Sequence, residues 1–167
     1  MADLALSPAT TTVGLIELVL FHEAPAPYFP GYNQALSFEA MRLMRQVLKN
    51  RLRHPGPFGA PHARDETDII KIKSQFGAFA QAPNLPVAFM QNVYDILRTA
   101  NNTAYPKQAI FIQHVQNAIT AATETLPPSD LIVANLYYWR THGYKGPGGR
   151  SRLYKTLQGL DFYTQNL

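Results

Sequence analysis

Thr11-Thr12-Val13-Gly14-Leu15-Ile16-Glu17-Leu18-Val19-Leu20-Phe21-His22-Glu23-Ala24-Pro25 is the stretch on which the fold turns. Thr11 or Thr12 offers a side-chain oxygen to cap a helix start, and Pro25 and Pro27 stop the helix at about Ala24. Between them Val13, Leu15, Ile16 and Leu18 to Phe21 leave almost no polar side. A helix apolar all round belongs in the middle of a domain, so other helices must surround it. It is far too short to cross a bilayer, which takes about 20 residues, and Glu17 interrupts it; a bridge to an arginine is the ordinary explanation for that mid-helix acid.

Working outward, residues 1–11 read as a loose, flexible leader. A Pro/Gly/Tyr-rich loop over 25–36 leads to a second helix, from about Ser37 to Leu52. Ala40, Leu43, Met44 and Val47 form its buried stripe, with Arg42, Arg45, Gln46 and Lys49 opposite. Residues 54–67 read as a surface loop, and Asp68 to Lys73 as a short helix or strand. A third long helix runs from Leu85 to Ala100 with Met90, Val93, Tyr94 and Leu97 inward. A fourth opens at Pro106, carries Phe111, Val115, Ala118, Ile119 and Ala122, and ends before Pro127. Leu131 to Trp139 has strand composition, and Gly143 to Gly149 a flexible turn. The expected architecture is mainly α (α+β): one domain over 12–167, helical with a small β-sheet or hairpin.

The 167 residues are 46% apolar and 16% charged, a globular balance with enough chain for a real core. The absence of cysteine rules out disulfides, thiolate metal sites and a thiol nucleophile. A net charge of +4 favours polyanionic partners such as nucleic acid, acidic membranes or cell walls. The first basic residue is Arg42, so the positive flank of a secretory signal is missing from the N-terminus.

Glu23 stands at the C-terminal end of the apolar helix. Burial and the negative end of the helix dipole both disfavour a charged carboxyl there, which suits a proton donor. A glutamate reaching solvent through the proline loop is the ordinary alternative. His22, His54, His62, His114 and His142 do not form the paired spacing of a zinc protease, and no metal or cofactor is expected; His114 reads as a packed or surface histidine. Arg140, Lys145, Arg150, Arg152 and Lys155, threaded with Tyr144 and Tyr154, could grip single-stranded nucleic acid. A solvated loop is the commoner case, and no nucleic-acid partner is expected. Aromatic groups at Phe76 and Phe79, Tyr137 to Trp139, and Phe162-Tyr163 fall in non-helical segments, where flat faces with polar rims suit sugar rings.

In their order, these features resemble the SleB/CwlJ-type cell-wall hydrolases. That family opens with an apolar helix ending in Glu-Ala, as at Glu23-Ala24. A second helix ends in Val-Leu-Asn-Arg or a variant, here Val47-Leu48-Lys49-Asn50-Arg51. A Gln-Phe-Ser-aromatic segment corresponds to Gln75-Phe76-Gly77-Ala78-Phe79, an Ala-Leu-Tyr-Phe strand to Ala134-Asn135-Leu136-Tyr137-Tyr138-Trp139, and a His-Phe-Tyr element to Asp161-Phe162-Tyr163. The resemblance spans about residues 12–164. It implies a lysozyme-like fold and cleavage of peptidoglycan between N-acetylmuramic acid and N-acetylglucosamine, with Glu23 as the catalytic acid. Gln75, Phe76, Tyr137, Tyr138, Tyr163 and Glu39 are the candidate substrate contacts.

Three departures accompany it. Pro27 stands where the family carries a second glutamate, with Glu39 the candidate to restore it. Gly77 replaces a serine and Asp161 a histidine. Loss of the second glutamate favours a lytic transglycosylase, in which one carboxyl serves as acid and then base, over a hydrolysing muramidase. The same departures also motivate a different class, a non-catalytic peptidoglycan- or partner-binding module on a degraded enzyme fold. An amide-cleaving wall enzyme needs a metal or thiol that this chain does not offer. Action in the periplasm or cell wall without a classical signal leads to the expectation of delivery by a dedicated secretion or phage-lysis apparatus, with an immunity protein as a possible partner.

Overall fold

The computed structural model describes residues 3–167. It is mainly helical with one small antiparallel sheet, an α+β fold. In chain order come α1 (Thr12–Glu23), α2 (Gln34–Arg53), α3 (Glu66–Ile70), α4 (Val87–Ala100), α5 (Gln108–Thr123), β1 (Leu136–Thr141), β2 (Arg152–Leu157) and β3 (Leu160–Thr164). Among the described residues no helix is long and apolar enough to cross a membrane.

α1 is the central helix its composition predicts. Thr11 caps it by accepting from the Gly14 N–H at 3.0 Å, and every residue from Gly14 to Phe21 is buried. It packs against α2, α3 and α5. Residues 3–11 are not loose, as their composition suggests. Leu4 exchanges two backbone hydrogen bonds with the Asn101 side chain, at 2.8 and 2.9 Å, and Leu4 and Leu6 pack on the core. Glu17 is 1% exposed and meets no arginine; its carboxylate accepts from the Ser7 N–H and hydroxyl. The leader thus satisfies a buried charge that would otherwise be costly. The leader and α1 approach so closely that a Cβ on Gly14 would lie 2.0 Å from the Pro8 carbonyl oxygen.

α2 buries Ala40, Leu43, Met44 and Val47 as the spacing predicts, but Gln46 is also buried. Its side chain accepts from the Val133 N–H and donates to the Leu131 carbonyl. Asn50 donates to the Val133 and Leu136 carbonyls, and Arg51 to that of Tyr137. One face of α2 therefore straps down the approach to β1, which begins at Leu136 and not at Leu131.

In α4 the inward stripe is Phe89, Val93, Ile96 and Ala100; Tyr94 is 57% exposed, and Met90 and Leu97 lie at the core margin. Both stripes have helical spacing, and only packing against α5 selects between them. Asp68 to Lys73 resolves as the end of α3 and a turn, with Asp65 as N-cap.

The sheet order is β1-β3-β2, all antiparallel. β2 and β3 form a hairpin through Gln158 and Gly159, both at positive φ (47° and 79°), as the right-handed strand twist demands of a two-residue turn. β2 occupies the stretch read as a solvated basic loop. It is an edge strand, exposed from Arg152 to Tyr154 and buried only at Leu157, so no alternation of apolar residues marks it.

Candidate active site

α1 ends at Glu23 on the wall of a cleft of about 470 Å³. The α3–α4 connection contributes Ser74, Gln75 and Phe76; β1 contributes Tyr138, Trp139, Arg140 and Thr141. Arg51 of α2, Leu160 of β3, and Tyr144 and Pro147 from the β1–β2 loop complete it. Such a volume is in the usual range for small-ligand clefts, roughly 300–1,000 Å³. Glu23 is the one carboxylate in the lining among the described residues. It is half-buried, so the sequestration anticipated from the apolar helix is met only in part. The Trp139 indole N–H donates to its Oε2 at 3.4 Å. Trp139 in turn leans on Phe76, with ring centroids 5.4 Å apart.

Arg51 organises the back of the cleft. Its side chain is buried; Nε donates to the Tyr137 carbonyl at 2.8 Å and Nη1 to Gln75 Oε1 at 3.0 Å. The guanidinium carbon lies 5.0 to 5.5 Å from the ring centres of Phe58, Phe76 and Tyr138. Burial pulls its pKa down to about 10, with the Tyr138 phenol opposing and the Arg140 charge adding to the fall. It stays charged at neutral pH and joins three segments distant in sequence. Planar, multidentate contacts of this kind suit arginine and not lysine.

Of the residues singled out from sequence, Glu23, Gln75, Phe76 and Tyr138 meet in this cleft. Tyr137, Tyr163 and Glu39 do not line it. Tyr137 is buried, stacked on Phe58 at 5.3 Å, and its phenol pKa is pushed up by burial. Tyr163 supports the β1–β2 loop from below, close enough that a Cβ on Gly146 would sit 3.1 Å from its ring. Glu39 is ion-paired with Lys155, tying α2 to β2, and restores no second carboxylate to the cleft.

Arg51, Trp139, Arg140 and Tyr144 also line the cleft, although the sequence reading gives none of them a role beside Glu23: Trp139 enters there only with the aromatics suited to sugars, and Arg140 and Tyr144 only with the basic stretch. Trp139 was within reach, as the lone tryptophan beside two tyrosines. Arg51 closes the Val47-Leu48-Lys49-Asn50-Arg51 motif, but nothing local marks it as a cleft residue, because a helix-terminal arginine is ordinarily solvated.

Asp161 is buried and accepts from His142 Nδ1 at 2.9 Å and Thr156 Oγ1 at 2.6 Å. Burial would raise its pKa, but these hydrogen bonds and the histidine charge prevail and hold it below the usual carboxylate range. His114 is a packed histidine: wholly buried, its ring 5.1 Å from that of Phe21, and its pKa pulled down by burial to about 4. No group of three metal-ligating side chains converges among the described residues.

No family model, curated protein or solved structure matches the chain.

Proposed function

We propose that this chain is a lytic transglycosylase that cleaves peptidoglycan between N-acetylmuramic acid and N-acetylglucosamine. The observation that carries the reading is a single carboxylate, Glu23, at the wall of a cleft faced with Trp139, Phe76, Tyr138 and Tyr144. Aromatic faces take the C–H faces of sugar rings, and one carboxyl suffices for a transglycosylase.

The reaction begins with Glu23 protonated. Its proton passes to the glycosidic oxygen, the bond from that oxygen to C1 of the muramic sugar breaks, and C1 acquires oxocarbenium character. The Glu23 carboxylate then takes the proton of the same sugar's 6-hydroxyl as that oxygen bonds to C1. The product is a 1,6-anhydro sugar, no water is consumed, and Glu23 returns to its protonated form. The Trp139 N–H, donating to Oε2, is placed to steady the carboxylate between the two transfers. The usual two-carboxylate routes to hydrolysis need a second acid, as base or as nucleophile, and among the described residues Glu23 is the one carboxylate in the lining.

Glu23→Gln is expected to abolish lysis of purified cell walls while leaving the fold intact. Unchanged lysis by this variant would remove the proposal. Mass spectrometry of muropeptides released by the unmodified protein separates the two products, the anhydro form being lighter by one water. The capture of Glu39 by Lys155 and the bare backbone at Gly77 favour one competitor, a wall-binding module without activity. Wall binding with no released fragments would select it. In either reading the place of action is the compartment that holds peptidoglycan; lysis of cells only when the protein is directed to the periplasm is the corresponding result in vivo.

A further inference from the structure

Arg140 differs from the other charged residues of the cleft, Glu23 and Arg51, in that no side-chain hydrogen bond engages it among the described residues. Strand register sets it directly opposite Asp161, a position in which an arginine and an aspartate attract. The pair does not form, because Asp161 is held by His142 and Thr156. Among the described residues no ion pair or side-chain hydrogen bond involves Arg140, which is exposed and lines the Glu23 cleft. The second guanidinium of the cleft, Arg51, is committed to the Tyr137 carbonyl and Gln75 and feels Arg140 as a like charge. Two cations therefore face one carboxylate, and that carboxylate must carry a proton to begin the reaction. At that moment nothing anionic in the lining balances the two arginines, and a bound anion would relieve their repulsion.

Resting on the reading of this cleft as a glycan-cleaving site, we propose that Arg140 binds a carboxylate carried by the glycan strand. The substrate is then an acidic glycan and not a neutral polymer of N-acetylglucosamine. Two parts of peptidoglycan supply that group: the lactyl side chain of muramic acid where no peptide is attached, and the carboxylates of the stem peptide where one is. The Asp161–His142–Thr156 cluster has a corresponding role, keeping the cross-strand acid occupied so that the guanidinium stays available.

The test compares binding by Glu23→Gln protein, with and without Arg140→Gln, to three ligands. These are peptide-free glycan strands, peptide-bearing strands, and chitooligosaccharides, which carry no carboxylate. Arg140→Gln is expected to weaken binding to carboxylate-bearing strands about tenfold, the scale of one charge-assisted hydrogen bond at a partly exposed site. It should also lower the sensitivity of that binding to salt and leave chitooligosaccharide binding unchanged; Arg140→Lys should recover part of the loss. Loss confined to peptide-free strands assigns the lactyl carboxylate, and loss confined to peptide-bearing strands assigns the stem peptide. Equal binding with and without Arg140→Gln overturns the inference, and so does an equal loss on chitooligosaccharides. If the unmodified protein cleaves walls and Arg140 is immaterial, only this inference fails. If it neither binds nor cleaves any glycan, the reading of the cleft fails with it.

Discussion

Glu23 and Trp139 share one long hydrogen bond, and the two side chains come from opposite ends of the chain, at the close of α1 and in the middle of β1. The indole N–H is the only side-chain hydrogen-bond donor to Glu23 among the described residues. Trp139→Phe keeps the aromatic face and deletes that donor. On the proposed reading the expected result is a fall in kcat of about fivefold, the scale of one long and therefore weak hydrogen bond of roughly 1 kcal/mol, with KM nearly unchanged because the ring remains. Initial rates of wall lysis over a range of wall concentrations check it; a rise in KM with constant kcat would give Trp139 a binding role instead. Residue types did announce part of this site. A glutamate ending an apolar helix and a cluster of aromatics are visible in the chain. That Tyr138 faces the cleft while Tyr137 is buried on Phe58 is not visible, because a register irregularity between Leu136 and Tyr138 sets which side each neighbour takes.

At the scale of elements, the leader and α1 form one unit. Glu17 is an acid in the interior whose partners are the Ser7 N–H and hydroxyl, ten residues earlier. Gly14 allows the contact, since any side chain there would run into the Pro8 carbonyl. Gly14→Ala favours a helix by intrinsic propensity, yet here the expected outcome is loss of about 1–3 kcal/mol, the usual scale of overpacking. Protease cleavage within residues 3–11 should become faster as the leader is displaced. Urea unfolding and limited proteolysis followed by mass spectrometry check both; a stabilised variant would show that the leader contact is dispensable. This association escapes sequence reading because much of it is made by backbone groups, the Ser7 N–H and the Leu4 N–H and carbonyl, and backbone hydrogen-bonding capacity is the same at nearly every residue. α4 teaches a similar lesson: two stripes one residue apart both satisfy helical spacing, and the neighbouring helix selects Phe89, Val93 and Ile96.

For the molecule as a whole, the stability profile with pH follows from its buried histidine. His114 lies in the core with its pKa lowered to about 4, against an ordinary value of 6.5 in the unfolded chain. Between those values the unfolded state binds the proton and the folded state does not. The contribution is therefore complete above about pH 6.5 and is lost as pH falls towards 4, by an amount on the order of 3 kcal/mol. Asp161 acts in the same sense at lower pH, since its carboxyl is held below the usual range and its protonation weakens the His142 and Thr156 contacts. Urea midpoints from pH 7 to pH 4 should fall for the native chain and fall less for His114→Phe. Parallel curves for the two proteins would show that His114 does not govern the decline.

The chain by itself determined the central helix, the number and approximate limits of the long helices, and the acid at the end of the first. Those features depend on local spacing, on caps and on proline breaks, all of which act over a few residues. Only the tertiary structure decided that the leader closes over Glu17, that the basic run at 152–157 is a strand, that Glu39 belongs to Lys155, and that Arg51 joins α2 to the cleft. It likewise left Arg140 beside the acid while taking its cross-strand aspartate away. Each of these is a choice of partner among polar groups, and partner choice depends on distances between segments remote in sequence, which no local pattern encodes.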